Sequence, residues 1–107
     1  MRSLEVYYGT VPAGIITEDD NRHYTFTYTA GYVGSDLPPI SVTLPKRLET
    51  YTSQYMFPFF SNMLPEGVNR STICRNNHID EKDSFGLLSF FAGKDIIGNV
   101  SLRRITQ

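Results

Sequence analysis

The chain has 107 residues, a net charge of -1 and one cysteine, so it fits one domain spanning residues 1–107 and excludes an internal disulfide. The charge balance offers no basic surface of the kind that nucleic-acid-binding domains carry. No apolar run approaches the roughly 18 residues of a membrane-spanning helix, and no signal peptide is evident. We therefore expect a cytoplasmic protein that contacts neither nucleic acid nor membrane directly.

The first half of the chain has the patterns of a β-sheet. Two apolar segments, 4–8 and 11–17, flank a Gly-Thr pair and predict a hairpin. Aromatic residues alternate with threonines over 23–29, which is the period of a strand with one buried face. We then expect a loop over 31–39, a short strand over 40–44 that ends at Pro45, and an exposed connection over 46–55.

The second half changes to helical patterns. Phe60, Leu64 and Val68 follow the i, i+4 spacing of one helix face. Proline is tolerated at the first helical position but not inside a helix, so we predict one or two helical turns that end near Leu64, then a new helix over 65–77.

The last part of the chain carries clear helix-end signals. Asp83 is a good N-cap and Gly93 a good C′ residue for a third helix, and 97–105 is predicted as a final strand. Strands followed by helices and one more strand predict an α+β fold, with a small antiparallel or mixed sheet packed by two or three short helices.

Sequence patterns for catalysis are missing. Neither Gly-rich nucleotide-phosphate motif is present, and the kinase-like triplet at 78–80 lacks the metal-binding asparagine, because position 85 is Phe. A thiol nucleophile at Cys74 beside His78, or acid–base chemistry at the carboxylate pairs 19–20 and 80–81, is the enzyme alternative. Inert packing and turn roles are favoured for these residues, so we expect no catalytic residue, no cofactor and no metal site.

Several motifs, taken in order, resemble the N-terminal domain of the HipA family, the kinase toxins of bacterial toxin–antitoxin systems. The matching segments are 4–8, 24–28, Ile40-Ser41-Val42-Thr43-Leu44-Pro45, 60–67 with Arg70, 83–88 and 93–100. Asn99 departs from the alanine that family members often carry after the last glycine. No kinase core follows these motifs, so we expect a stand-alone domain similar to the small component of split HipA systems.

This resemblance implies a non-catalytic regulatory domain. Its partners would be a separately encoded HipA-like Ser/Thr kinase core, which it restrains as an antitoxin, and a helix-turn-helix DNA-binding protein in the same complex. Two alternatives stay open, namely a structural subunit that the kinase needs for activity and a small binding domain with no kinase partner.

The candidate partner contacts come from the aromatic segment around 55–60 and from the family motifs. They are Phe57, Phe59, Leu64, Pro65, Glu66, Gly67, Arg70, Asp95 and Gly98. Aromatic residues are enriched in interface cores, but for Phe57 and Phe59 an ordinary place in the domain core is the competing explanation. For Glu66 and Arg70 the competing explanation is a surface ion pair one helical turn apart.

Overall fold

The computed structural model describes residues 1–64, 67–92, 96–97 and 99–105. Within them the chain forms one antiparallel sheet of six strands, in the order β4-β3-β2-β1-β6-β5, and four short helices. This confirms the α+β prediction. In chain order the elements are β1 (Arg2–Tyr8), β2 (Val11–Glu18), β3 (Tyr24–Tyr28), α1 (Ala30–Val33), β4 (Tyr51–Ser53), α2 (Pro58–Ser61), α3 (Gly67–Asn77), α4 (Ser84–Phe91), β5 (Ile96–Ile97) and β6 (Val100–Arg104).

The predicted hairpin of β1 and β2 is confirmed and forms the middle of the sheet. Its register shifts between Val6 and Tyr7, where Ala13 is the extra residue of a β-bulge. Gly14 lies beside this bulge, between Val6 of β1 and Tyr28 of β3. A Cβ atom there would lie 2.8 Å from the ring of Phe26 and closer still to a backbone carbonyl of β3, so only glycine fits.

Strand β3 has the two faces that its alternation predicts. Tyr24, Phe26 and Tyr28 are 9%, 0% and 3% exposed, whereas the threonines between them lie on the open face of the sheet. The Tyr28 hydroxyl accepts the backbone N–H of Ile40 at 3.1 Å and donates to the backbone carbonyl of Leu44. Burial raises the pKa of Tyr28 to about 12, so this hydroxyl stays protonated and performs both roles.

The predicted strand over 40–44 is wrong. The chain instead makes a tight turn in which the backbone N–H of Leu44 donates to the carbonyl of Ser41 at 3.0 Å. Ile40 and Leu44 are both buried, and the chain must reverse between them to place both in the core. Val42 consequently stands at the tip of the turn with 93% of its surface exposed.

Two further segments contain elements that the sequence patterns did not predict. The expected loop over 31–39 begins with α1, a single turn capped by Thr29, whose hydroxyl accepts the backbone N–H of Tyr32 at 3.2 Å. The expected exposed connection over 46–55 contains β4, which pairs with β3 as the edge of the sheet. The Arg47 guanidinium lies 3.6 Å from the ring centre of Tyr51 and covers the start of this short strand.

The helix boundaries agree with the capping signals where the structure describes them. Helix α2 begins at Pro58, the first helical position that proline tolerates, and turns continue to Leu64. Asp83 caps α4 by accepting the backbone N–H of Gly86 at 3.0 Å. The predicted helix start at Pro65 and the predicted stop at Gly93 lie outside the described residues.

The final segment differs from the single strand that was predicted over 97–105. It forms two antiparallel strands, β5 and β6, with Asn99 in the turn between them. The Asn99 carbonyl accepts the backbone N–H of Gly9 at 2.7 Å, which ties this turn to the β1–β2 turn. The pairing of β6 with β1 therefore brings both hairpin turns to the same end of the sheet.

One apolar core lies between the sheet and the helices. Its largest fully buried side chains come from the sheet, from α1 and α2, and from the first turns of α4, while α3 contributes Cys74. They include Leu4, Ile16, Phe26, Tyr32, Phe60, Phe85, Leu87 and Leu88.

Candidate partner-binding surface

The aromatic segment before and within α2 mostly belongs to the core. Phe60 is fully buried, and its ring lies 5.7 Å from that of Phe26 and 5.3 Å from that of Phe59, measured between ring centres. Phe57 is 7% exposed and Phe59 is half-buried against the same cluster. Tyr55, at 78% exposed, is the large side chain of this segment that faces solvent.

Helix α3 is the most weakly buried of the longer helices. Of its 11 residues only Cys74 is buried, and Ile73 is partly buried against the core. A helix that lacks an apolar stripe either bridges between domains, is stabilised by side-chain pairs along its surface, or is not stable by itself. We call its exposed residues Gly67, Val68, Asn69, Arg75, Asn76 and Asn77 the α3 surface.

Val68 is the apolar residue of this surface. The prediction that it shares a helix face with Phe60 and Leu64 is wrong, because it is 81% exposed while both of those residues are buried. The spacing does not carry across the boundary between the helices: α2 ends at Ser61 and α3 restarts at Gly67, whose φ is +62°. This left-handed conformation favours glycine and turns the first residues of α3 away from the core.

A side-chain hydrogen bond and a backbone cap define the two ends of α3 despite its low burial. The Arg70 guanidinium donates through Nε to the backbone carbonyl of Glu81 at 2.9 Å, and a second N–H reaches the same oxygen. At the other end His78 adopts the left-handed conformation with φ of 57°, and the backbone N–H of Ile79 donates to the Cys74 carbonyl at 2.9 Å. This is the hydrogen bond of a Schellman motif, so the helix has a defined stop.

An ionic cluster joins the next helix to the sheet. Arg2 of β1 donates to Glu18, which is 7% exposed, and to Asp83, the N-cap of α4. Its hydrogen bond to Asp83 is the largest cause that holds the pKa of that carboxyl below its usual range. The cluster positions the start of α4 and thereby the loop of residues 79–83 to which Arg70 binds.

The nine predicted contact residues separate into three groups. Phe57 and Leu64 lie in the core, and Phe59 is half-buried against it. Gly67 and Arg70 lie in the first turn of α3, next to Val68. The remaining four lie outside the described residues: Pro65, Glu66, Asp95 and Gly98.

Val68 is not among the partner contacts that the sequence motifs predict. Its i, i+4 position relative to two core residues predicted burial, and the Pro65–Gly67 break was the signal that this spacing ends there. The other large apolar residues that are exposed lie outside the helices. Val42, Leu48 and Tyr55 lie in the turn and connection before α2, Val11 and Ile15 lie in β2, and Met1 precedes β1.

Among the described residues no group of three or more potential metal ligands comes together. Cys74 is 2% exposed, whereas His78 is exposed at the end of the same helix. No helix in the described part of the chain is long and apolar enough to cross a membrane.

The chain is similar to proteins of one known family. A family model described as the HipA N-terminal domain matches residues 4–103. An uncharacterized protein of Haemophilus influenzae is 29% identical over 107 residues, which are 100% of this chain and 96% of that protein. The putative kinase Y4mE of Sinorhizobium fredii is 28% identical over 103 residues, and the match spans 95% of this chain but only 24% of the kinase.

The fold also matches a solved structure. The N-terminal domain of HipA toxin has a TM-score of 0.72 with this chain, and the match covers 100% of this chain and 95% of that one. At 22% sequence identity this likeness concerns the fold.

Proposed function

The chain belongs to the HipA N-terminal domain family, and on that premise we propose that it is a non-catalytic domain that binds a HipA-like Ser/Thr kinase core. The kinase core is carried by a separate protein, and the domain restrains it as an antitoxin. Two relatives support this arrangement. The region matched in Y4mE is a quarter of a much longer putative kinase, whereas the matched region makes up nearly all of the H. influenzae protein.

The observation that carries the proposal is the α3 surface. An 11-residue helix gains little stability from its own propensity, and most helices of this length are held by burying an apolar face. Here one side chain is buried, while Val68 presents an aliphatic group to solvent beside the family motif at 64–67. Contact with a partner protein gives both the exposed helix and the exposed valine a role.

The mechanism we propose is steric or conformational. The domain occupies the N-terminal face of the kinase core through the first turn of α3, and the nucleotide or substrate site of the kinase then fails to close. Arg70 is engaged by the Glu81 carbonyl, so it holds the surface in shape, while Val68 supplies apolar contact area. A helix-turn-helix protein would join the same complex as a third component.

The decisive experiment measures growth arrest in cells that express the kinase with and without this chain. The kinase is first identified by using the chain as bait in its native lysate, with mass spectrometry of the captured proteins. Relief of arrest when the chain is present supports the antitoxin role. Arrest only in its presence would mean that the kinase requires this chain for activity, and it would overturn the antitoxin role that we propose.

A pair of valine variants tests the surface in the same assay. Val68→Asp places a charge on the α3 surface, and Val42→Asp places the same charge on a valine that is still more exposed, in the turn that follows Ile40. We expect Val68→Asp to abolish relief of arrest and Val42→Asp to retain it. Equal loss in both variants would count against α3 as the contact.

A further inference from the structure

Helix α3 has neither of the features that usually stabilise a helix of its length. Of its 11 residues only Arg70 and Arg75 are types with high helix propensity, and the others are glycine, asparagine, serine, cysteine and β-branched residues. A helix shorter than about 12 residues is marginal in water even with a favourable sequence, so tertiary packing has to hold it. In α3 that packing comes from one buried side chain, Cys74, and from the partly buried Ile73.

Helix α4 supplies the comparison, because it is shorter and yet well packed. Its eight residues include three buried side chains, Phe85, Leu87 and Leu88, and it packs closely on β6. Its N-cap is joined to β1 by the hydrogen bonds from Arg2 to Asp83. In the part of the chain that the structure describes, α3 packs on no strand to the same extent. Helix α4 therefore belongs to the core of the domain, whereas α3 is attached at its edge.

Two attachments hold α3 to the rest of the domain. The first is the hydrogen bond from the Arg70 guanidinium to the Glu81 carbonyl, which lies in an exposed position where water competes for both groups. The second is Cys74, a small side chain whose burial removes less apolar surface from water than burial of a leucine or phenylalanine does. The other fully buried side chains belong to the sheet, α1, α2 and α4. Release of α3 would therefore leave their packing largely unchanged.

We propose that α3 opens from the folded domain as a local unfolding unit, and that a protein bound to the α3 surface holds it closed. In the closed state Cys74 is buried and Arg70 binds the Glu81 carbonyl. In the open state both contacts are lost while the sheet and α4 stay folded. Segments with few buried contacts open in this way at a lower free energy than global unfolding. The opening is a property of the free chain, and only its closure by the HipA-like kinase core rests on the proposed function.

The opening would regulate binding of the partner. Val68 and Asn69 lie in the first turn of α3, beside Arg70, so they hold fixed positions only in the closed state. A partner that needs the closed state binds with an apparent affinity that is reduced by the fraction of closed chains. Binding in turn shifts the population towards the closed state. The attachment through Arg70 therefore sets how readily the domain engages its partner.

The single cysteine of the chain makes the opening measurable, because a buried thiol reacts only when α3 opens. The purified chain, without the kinase, is mixed with a chromogenic disulfide reagent at urea concentrations below the global unfolding transition. We expect Cys74 to react at least about tenfold faster than global unfolding alone permits. The rate should rise with urea much less steeply than the global unfolding constant does, since opening α3 exposes little surface.

Hydrogen exchange under the same conditions gives a second, independent measurement. The backbone amides in the second half of α3 should exchange with the shallow urea dependence of the thiol reaction. The amides of β1 and β2, in the middle of the sheet, should exchange only through global unfolding. A shared urea dependence for α3 and the sheet would overturn the proposal, because α3 would then unfold only with the whole domain.

Two arginine variants of the same helix form a matched pair. Arg70→Gln shortens the side chain and removes the guanidinium that binds the Glu81 carbonyl, so the thiol reaction should become about fivefold faster. Arg75→Gln makes the same change at an exposed position of the last turn and should alter the rate by less than about twofold. Equal acceleration in both variants would overturn the assignment of Arg70 as the attachment that controls the opening.

Addition of the captured kinase core tests the closure. A saturating concentration should slow the reaction of Cys74 by at least about tenfold, because the bound chain has to release the kinase before α3 opens. A kinase that binds and leaves the rate unchanged would overturn the closure, while the antitoxin role would still be decided by growth arrest. Failure of the closure is thus distinguishable from failure of the proposed function.

Discussion

Strand β3 and helix α3 differ sharply in how much of their side-chain surface is buried. Three of the five residues of β3 are buried aromatic side chains, while α3 buries one residue of its 11. The strand contributes to the fold through its side chains, whereas the helix is held by one buried side chain, Cys74, and by the Arg70 hydrogen bond to the Glu81 carbonyl. Substitutions should therefore cost stability in β3, whereas on α3 they should change binding.

The largest effect is expected for Phe26→Ala. Phe26 is fully buried, and its ring lies 4.8 Å from that of Tyr28 and 5.7 Å from that of Phe60 between centres. Removing a buried phenyl group leaves a cavity and should lower the free energy of unfolding by about 3–5 kcal/mol, measured by urea denaturation. A loss below about 1 kcal/mol would show that β3 is not the stability centre that its burial indicates.

Gly14→Ala should have the next largest effect. Its Cβ would press against the Phe26 ring and the β3 backbone, so the β-bulge must shift to make room. Overpacking of this kind costs about 1–3 kcal/mol. Urea denaturation measures this cost, and Gly31→Ala is the control, because a Cβ there meets no atom within 4 Å. A similar cost in both variants would argue against the close approach at Gly14.

A smaller, pH-dependent effect is expected for Asp83→Asn. Asparagine retains the capping ability but loses the ion pair with Arg2, which at 32% side-chain exposure contributes about 1 kcal/mol or less. The folded pKa of Asp83 lies below its unfolded value of about 3.8, so this stability is complete above that pH and is lost as the pH falls through the folded pKa.

Acid titration of stability measures this contribution directly. The wild-type chain should lose more unfolding free energy than Asp83→Asn as the pH falls below about 4. Asp20→Asn removes an acidic group that is 87% exposed, and it serves as the control. Parallel acid profiles for wild type and Asp83→Asn would contradict the assigned ion pair.

The smallest stability change is expected for Val68→Asp. Surface substitutions away from buried features usually stay within about 0.5 kcal/mol. The same variant should weaken binding to the HipA-like kinase core by at least about tenfold in calorimetry, since it places a charge on the proposed contact. A loss of several kcal/mol in folding stability would mean that α3 belongs to the core and would remove its contrast with β3.

The sequence predicted those parts of the fold whose signals are local. The alternation around Phe26 gave the strand and its buried face, and the Asp83 side chain gave the start of α4. The strand predicted over 40–44 was wrong because strand propensity favoured an extended chain there. Burial of both Ile40 and Leu44 instead requires a turn. The turn also depends on a tertiary contact, because the Tyr28 hydroxyl binds both the Ile40 N–H and the Leu44 carbonyl.

The candidate contact residues do not all lie at the surface of the domain. The family motif at 60–67 adjoins the α3 surface, but its Leu64 is a core residue, and so is Phe57 before it. Val68 was assigned to the buried face because helical spacing was continued across Pro65, and sequence spacing does not report the direction in which a new helix starts. The pairing of β1 with β6 joins the two ends of the described chain, and no local pattern encodes it.

The position of β1 has a consequence for how the molecule assembles. β1 is formed near the beginning of the chain, yet it pairs on one side with β2 and on the other with residues 100–104. During synthesis the first hairpin can form early, but one edge of β1 stays open until almost the whole described chain has emerged. Completion of the sheet is thus a late, long-range step, and a chain interrupted before β6 would expose a pairing edge to other nascent chains.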